Sequence, residues 1–584
     1  MKRGVMGAIA ATVIIAAALL ILPGVIGYSA ENSLRNSLKT ISQQGAYRIE
    51  LVSFKRGWFK SRATSKLVLE GQYAETLHKA LGADAGTALE VTFSHTIYHG
   101  PVLLRAALPK LGFAYAETEL RLPPVAELLL AQYLRGKPLL TFRTTFGLLG
   151  RSTTHLSNPD YTGAMGPHTL VQWDGASGTI RTERRAFNVN LDMPLFKWEA
   201  GERLLLVRGM ALRSDQKKRG KHVWLGDTDA MIKEVRLMSP DSGESAKIDE
   251  LDYEVKAVAD GAERLDVSAV FGVKAAEFEG GNIGPSTWTL EVNNLSAAAL
   301  DDAYDMYNQF LDTGDQPEIQ RDILQRFLTQ SLTELLSSPV ELRTGVTINV
   351  DGPFAVYKGK TSLGIDGKGG DVTIAIDQAI DALDYDEVKM TGSTGRLRLA
   401  HLDGNMLGEL YGDFVRIIST GMPEAQQEEE MQLTVARKSP AIIRPQTRLF
   451  LENVAINMPD GKTTASGELG FKGTEPLDYS SVDAMIRRLE GSLTARTTEG
   501  VLLWYLARDS GRAMRARLQE QGRDVPEDTI DRLARTSAHT QLAALEKQSI
   551  VRKDGDAYVL EALFRDGKVM LNGLPRPDLT PKTP

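Results

Sequence analysis

His95 and His99 are the two side chains whose type and spacing come nearest to a reactive pair. Four apart on a helix, two imidazoles share one face and can bind a single zinc ion. The local text, Val91-Thr92-Phe93-Ser94-His95-Thr96-Ile97-Tyr98-His99, reads instead as a strand. Four strand residues span about 13 Å, too far to share one metal. No neighbouring glutamate completes an H-E-x-x-H pattern. Both histidines are therefore read as polar positions near a strand end. There is no G-x-S-x-G elbow to expose a nucleophilic serine. Gly392-Ser393-Thr394-Gly395 and Gly367-Lys368-Gly369-Gly370 are small-residue turns, without the spacing of a phosphate-binding loop. Carboxylates are plentiful, but no pair is singled out for acid–base work. The chain has no cysteine, which excludes disulfides, thiol catalysis and Cys-ligated metal. Trp58, Trp173, Trp198, Trp224, Trp288 and Trp504 are scattered and are read as core or edge packing rather than a sugar-stacking platform. No catalytic, cofactor-binding or metal-ligating residue is nominated, and no cofactor is expected.

The elements that would carry any site begin with a membrane signal. Lys2 and Arg3 precede residues 4–30, which hold no charged side chain and are most apolar over 13–22. As a helix, about 20 such residues cross the hydrocarbon core. The positive-inside rule leaves Lys2 and Arg3 in the cytoplasm and sends the C-terminal mass outward. The competing reading is a cleaved signal peptide, whose apolar region is shorter. Val25-Ile26-Gly27 is a passable small-residue cleavage site and Tyr28-Ser29-Ala30 a poor one. A retained, single-pass anchor is expected, and the domain is exported on either reading. The mild acidic excess, net charge −7 over 584 residues, argues against a nucleic-acid binder.

Six regions follow from the periodicity. Residues 1–30 are the anchor, and 31–45 a polar helical stalk with Leu34, Leu38 and Ile41 on one face. Residues 46–295 are β-rich, opening with a hairpin whose turn is Lys55-Arg56-Gly57-Trp58, and interrupted by short helices near 72–80 and 123–134. Residues 296–338 are a helical pair, with Ala299, Leu300, Ala303, Met306, Tyr307 and Phe310 on one face. Residues 339–480 are again β-rich, with a solvated Glu-rich loop at 423–430. Residues 481–584 are helices and a closing β-hairpin turning at Asp566-Gly567, followed by a Pro-rich tail. One loose unit, a glycine turn leading through a strand to an Asn- or Asp-marked turn and a helix, fits 284–310 and 370–383. The fold class is α+β and β-rich: an N-terminal transmembrane helix, then a large, curved, mostly antiparallel sheet with helices packed against it.

Several short motifs occur together in order. They are Phe54-Lys55-Arg56-Gly57-Trp58-Phe59-Lys60-Ser61, His99-Gly100-Pro101, Val171-Gln172-Trp173-Asp174-Gly175 with Gly178, Gly284-Pro285-Ser286-Thr287-Trp288-Thr289-Leu290, and Gly567-Lys568-Val569-Met570-Leu571-Asn572-Gly573. Behind an N-terminal anchor this set resembles the YdgA-like family of bacterial cell-envelope proteins, a domain of unknown function (number 945). The likeness runs from about residue 1 to 574 and is thinnest over 370–478. It implies inner-membrane anchoring and a periplasmic β-rich body, and it carries over no catalytic residue.

The expectation is a membrane-anchored periplasmic protein, more a non-enzymatic scaffold or a binder of lipid or another amphiphile than an enzyme. An envelope hydrolase acting on glycan or lipid is the alternative, and a partner-binding protein of a membrane or cell-wall complex is another. The partners expected are the inner membrane, through the N-terminal helix, and a lipid or an envelope protein, with no nucleic acid. A sheet face that is either an open apolar trough or filled by its own side chains is what separates these readings.

Overall fold

The structure is a computed structural model that describes residues 31, 34–35, 47–69, 90–103, 110–121, 137–147, 150–166, 168–239, 244–261, 263–312, 322–323, 326, 340–352, 355–368, 370–386, 388–419, 422–475, 477, 482–523 and 525–578. The expected anchor over 1–30, the short helices near 72–80 and 123–134 and most of the second helix of the pair at 296–338 lie outside the described residues. Among the described residues no helix is long and apolar enough to cross a membrane.

The chain divides into two compact units, residues 1–279 with 296–327 and residues 280–295 with 328–584. Both are built from antiparallel strands joined mostly in sequence order. Strand β1 (Tyr47–Lys55) pairs with β2 (Lys60–Leu69), and β2 with β3 (Glu90–His99). A two-residue pair, β4 (Val102–Leu103) with β5 (Lys110–Leu111), forms a separate small sheet. Strand β3 then pairs with β6 (Ala114–Arg121), and β6 with β7 (Thr141–Phe146). The ladder continues through Ser152–Asn158, Ala176–Glu183, Ala186–Ala200, Arg203–Lys218, Trp224–Ser239, Glu244–Asp260 and Arg264–Phe278. Helix α1 (Ala297–Asp312) belongs to this first unit, its Ala299 amide bonded to the Ser296 hydroxyl at 3.2 Å, the N-cap expected of serine.

In the second unit Ser286–Ser296 pairs with Glu341–Asp351, and the ladder runs on through Val356–Lys368, Asp371–Tyr385, Val388–Asp403, Ile443–Met458, Gly461–Phe471, Leu489–Thr498, Ala557–Arg565 and Lys568–Leu571. The last hairpin turns where expected. Asp566 and Gly567 have φ of 51° and 73°, the left-handed pair a two-residue hairpin needs.

Among the described residues five helices decorate this unit: α2 (Gly404–Ser419), α3 (Glu424–Ile442), α4 (Val482–Arg488), α5 (Glu499–Glu520) and α6 (Glu527–Lys547). Ile530, Ala534, Ala538 and Leu542 form the buried stripe of α6, four residues apart. Against it α5 buries Ser510 and Gly511, small enough to let the two helices approach.

Two expectations are corrected. Residues 423–430, expected as a loop, are the N-cap and first turns of α3. The run Ala425-Gln426-Gln427-Glu428-Glu429-Glu430 is made of strong helix formers, and propensity outweighs the charge that suggested a linker. Glu428 and Glu429 are solvent-exposed on that helix. Residues 370–383 hold no helix. Asp371–Tyr385 is one strand, paired along both edges, and cross-strand pairing overrides the helical preference of its alanines.

Candidate functional site

The two histidines lie where a strand places them, on β3, but they are not surface polar groups. His95 is 9% and His99 5% exposed, and Ile97 between them is buried on the same face. Strand β2 meets them with small polar residues. The His95 Nε2 atom lies 2.7 Å from Ser65 Oγ, and His99 Nε2 lies 2.8 Å from Ser61 Oγ. On the other side, Thr118 Oγ1 of β6 is 2.9 Å from His95 Nδ1. Ile97 and Ala114 form the apolar centre of this patch, with Leu34, Phe54 and Ala116 packed against them. Burial pushes the His95 imidazole down to about 4, and lowers that of His99 in the same direction.

A serine hydroxyl on an imidazole is the nucleophile–base pair of acyl-transfer enzymes. Here Ser61 and Ser65 are 0% and 1% exposed, so no substrate carbonyl reaches them in this conformation. Behind His95, where a triad would place a carboxylate, stands the Thr118 hydroxyl. The pairs act as a neutral polar ladder inside a sheet. Among the described residues no three ligand-type side chains gather as a metal site would require.

The larger feature is in the second unit and involves none of the residues with obvious chemistry. Direct cross-strand partners point to the same face of a sheet. One row of such partners reads Val292, Leu342, Ile365, Ile374, Leu399, Leu449, Leu469, Gly491, Phe564 and Val569. The next row on that face reads Leu290, Thr344, Leu363, Ile376, Leu397, Leu451, Gly467, Leu493, Ala562 and Leu571. Across ten strands the single polar side chain is Thr344. The row between them, on the opposite face, is mixed and charged: Glu291, Arg343, Gly364, Ala375, Arg398, Phe450, Glu468, Ser492, Leu563 and Met570.

The apolar stripe is not filled by its own side chains throughout. Ile376 is 43%, Leu397 42% and Leu469 39% exposed. Over the strands 443–498 and 557–571 it deepens into a cavity of about 330 Å³, walled by Leu449, Leu451, Leu469, Leu493, Phe564 and Val569. Gly467, Glu468, Gly491, Ser492, Ala562 and Leu563 complete its lining. A Cβ on Gly467 would stand 2.6 Å from the Ser492 carbonyl oxygen, so this position admits no side chain without a backbone shift. Near its middle the first row runs into a core: Ile365, Ile374 and Leu399, with Met406, Leu407 and Leu410 of α2, pack against buried Val372, Leu402 and Ile442. Asp403 caps that helix, its carboxylate accepting from the Met406 amide at 3.1 Å. Burial acts to raise the Asp403 carboxyl, but the Arg444 guanidinium and the helix amides outweigh it and hold it below the usual range.

The opposite face is held by ion pairs. Arg398 lies 2.7 Å from Glu452 and stacks 4.0 Å from the Phe450 ring centroid, and Arg396 reaches both Asp377 and Glu452. The Arg398 hydrogen bond keeps the Glu452 carboxyl below its ordinary value. Every arginine of this group has a carboxylate, so the face is a satisfied network.

The sequence carried a signal for the stripe that strand-by-strand reading does not collect. Each strand alone shows only ordinary alternation, and the stripe exists once the register aligns them. The tryptophans divide. Trp173 packs edge-on against Phe196 at 5.7 Å, and Trp224 against Phe187 at 4.9 Å, as core or edge residues do. Trp58 and Trp288 are 56% and 38% exposed, against the packing expected of them.

Comparison with known proteins gives one family. The model described as a bacterial protein of unknown function (DUF945) matches residues 1–343 and 355–577. Nothing matches among curated proteins or solved structures. The match covers nearly the whole chain, through both units and the apolar stripe, and the protein belongs to the DUF945 family of bacterial proteins.

Proposed function

We propose that this protein is a membrane-tethered component of the bacterial envelope whose second unit holds an acyl chain, of a lipid or another amphiphile, along the apolar stripe. The observation that carries the reading is the pair of aligned aliphatic rows with Ile376, Leu397 and Leu469 open to solvent. Single exposed apolar residues are ordinary, whereas a contiguous apolar surface marks a binding site. The lining favours a hydrocarbon over a protein partner. Protein hot spots are rich in Trp, Tyr and Arg, and the two rows contain none of these. A mostly apolar lining suits an unbranched hydrocarbon chain. With strands about 4.8 Å apart, ten of them give a contour of roughly 40 Å. One acyl chain needs roughly 15 Å, half of a hydrocarbon core about 30 Å thick.

Residues 4–30 support the tether, being uncharged and preceded by Lys2 and Arg3. On the positive-inside rule both units stand on the periplasmic side of the inner membrane, with one span. Binding of this kind needs no bond-making step, so the reading is non-enzymatic. A titration of the full chain in lipid nanodiscs with a fluorescent fatty acid tests it. Ile376→Asp with Leu397→Asp places two carboxylates in the stripe and should weaken binding about tenfold or more, a loss of at least 1.4 kcal/mol. Val258→Asp, in the first unit and 47% exposed, should leave affinity unchanged. Equal loss from both variants, or from neither, overturns the reading.

A further inference from the structure

Four aromatic side chains at one end of the first unit have no place in its core. Trp58 is 56%, Phe59 55%, Phe113 42% and Phe146 42% exposed. They are neighbours through the backbone. The His99 amide donates to the Phe59 carbonyl at 2.9 Å, the Gly100 amide to the Phe113 carbonyl at 2.6 Å, and the Phe113 amide to the Phe146 carbonyl at 2.8 Å. The β1–β2 turn, the end of β3, the start of β6 and the end of β7 are thus stitched side by side; the turn presents two of the rings, and the start of β6 and the end of β7 one each. Lys55, Arg56 and Lys60 flank the first two rings and are exposed. Lys60 Nζ sits 5.0 Å from the Tyr98 ring centroid.

The same turn receives the beginning of the described chain. Glu31, the residue directly after the uncharged stretch 4–30, pairs with Arg56 at 2.5 Å. Leu34, one turn later, packs into the patch around Ile97 and Ala114. The chain is therefore held, directly after the uncharged stretch, by the same turn that carries Trp58 and Phe59. Rings with a basic fringe at that point match the chemistry of a membrane–water interface. Trp is enriched there, and Lys and Arg attract anionic headgroups.

We infer that Trp58, Phe59, Phe113 and Phe146 form an aromatic rim that beds into the lipid interface of the membrane carrying the anchor, orienting the first unit on that surface. The inference rests on the tether part of the proposed function and is independent of the stripe. The test uses the full chain reconstituted into vesicles of phosphatidylethanolamine and phosphatidylglycerol, with and without lipid brominated high on the acyl chain. Subtracting the emission of Trp58→Phe from that of the native chain isolates the Trp58 signal. Brominated lipid should at least halve that signal, and aqueous iodide should leave it nearly untouched. The variant Phe59→Ser with Phe113→Ser should restore iodide access. If the chain floats with the vesicles but the Trp58 signal is quenched by iodide and not by bromine, the rim is wrong and the tether stands. If the chain does not float with vesicles, the tether fails and the rim with it.

Discussion

Ser65 Oγ lies 2.7 Å from His95 Nε2 in the interior of a sheet, and one repeat along the same two strands Ser61 Oγ lies 2.8 Å from His99 Nε2. The diagonal repeats because four residues along either strand advance the ladder by two same-face steps, returning to the same face. Each hydroxyl gives its imidazole a neutral partner in a place where a charged ring would lose its hydration.

That arrangement sets a pH dependence. Burial lowers the His95 pKa from 6.5 to about 4 in the folded chain. The unfolded chain therefore binds the proton first as pH falls. Stability attached to neutral His95 is complete above about 6.5 and is lost as pH drops toward 4. A shift of this size corresponds to roughly 3 kcal/mol. Denaturant midpoints of the native chain should fall steeply between pH 6.5 and 4, and those of His95→Gln should fall less over the same window. Parallel curves would contradict the assignment.

The hydroxyl partner has its own cost. Ser65→Ala leaves a buried ring nitrogen unsatisfied and should destabilise the first unit by about 1–3 kcal/mol. Ser65→Ala combined with His95→Leu should cost less than the sum of the two single changes, since the polar atom needing a partner is gone. Equilibrium unfolding of the four chains of this cycle gives the coupling directly. A coupling of zero would mean that the 2.7 Å contact contributes nothing.

Helix α1 is fastened by a carboxylate that accepts three backbone amides. Asp301 takes those of Lys221, His222 and Val223 at 3.0, 2.6 and 3.0 Å. Burial raises its carboxyl, but these three donors outweigh that and hold it below the ordinary value. Next to it, Asp305 meets Lys221 Nζ and His222 Nε2, each at 2.8 Å. Asp301→Ala should release the helix locally, at about 1.5–3 kcal/mol for a charge-assisted acceptor. Hydrogen exchange over α1 should then quicken while exchange over the strands at 341–403 is unchanged. Asp305→Asn should have a smaller effect, because its partners remain solvated.

How far the sequence spoke depended on how local the signal was. Antiparallel strands, the first helix of the pair beginning at 296, the C-terminal helices and the Asp566-Gly567 turn are written in short windows, and the structure has each of them. Helix α2 was equally legible, with Asp403 as cap and Met406, Leu407 and Leu410 on one face, but it hid in a glycine-rich stretch. The helix that replaces the loop at 423–430 turned on weighing propensity over charge. Trp58 defeats a composition argument outright, because a large ring on an exposed turn has no local marker of its exposure. The burial of His95 and His99 depended on what β2 and β6 bring to either side. The stripe depended on the register of ten strands, information that no window of one strand contains.

The stripe is tested most directly by photo-crosslinking the full chain in native membranes with a fatty acid carrying a terminal diazirine, then mapping the adducts by peptide mass. Adducts should fall on Leu363, Ile376, Leu397, Leu451 and Leu493, which share one face across five strands. They should be missing from Glu291, Arg343 and Arg398 on the other face. Adducts spread evenly over both faces, or absent from the stripe while labelling other membrane proteins in the same sample, would contradict the account.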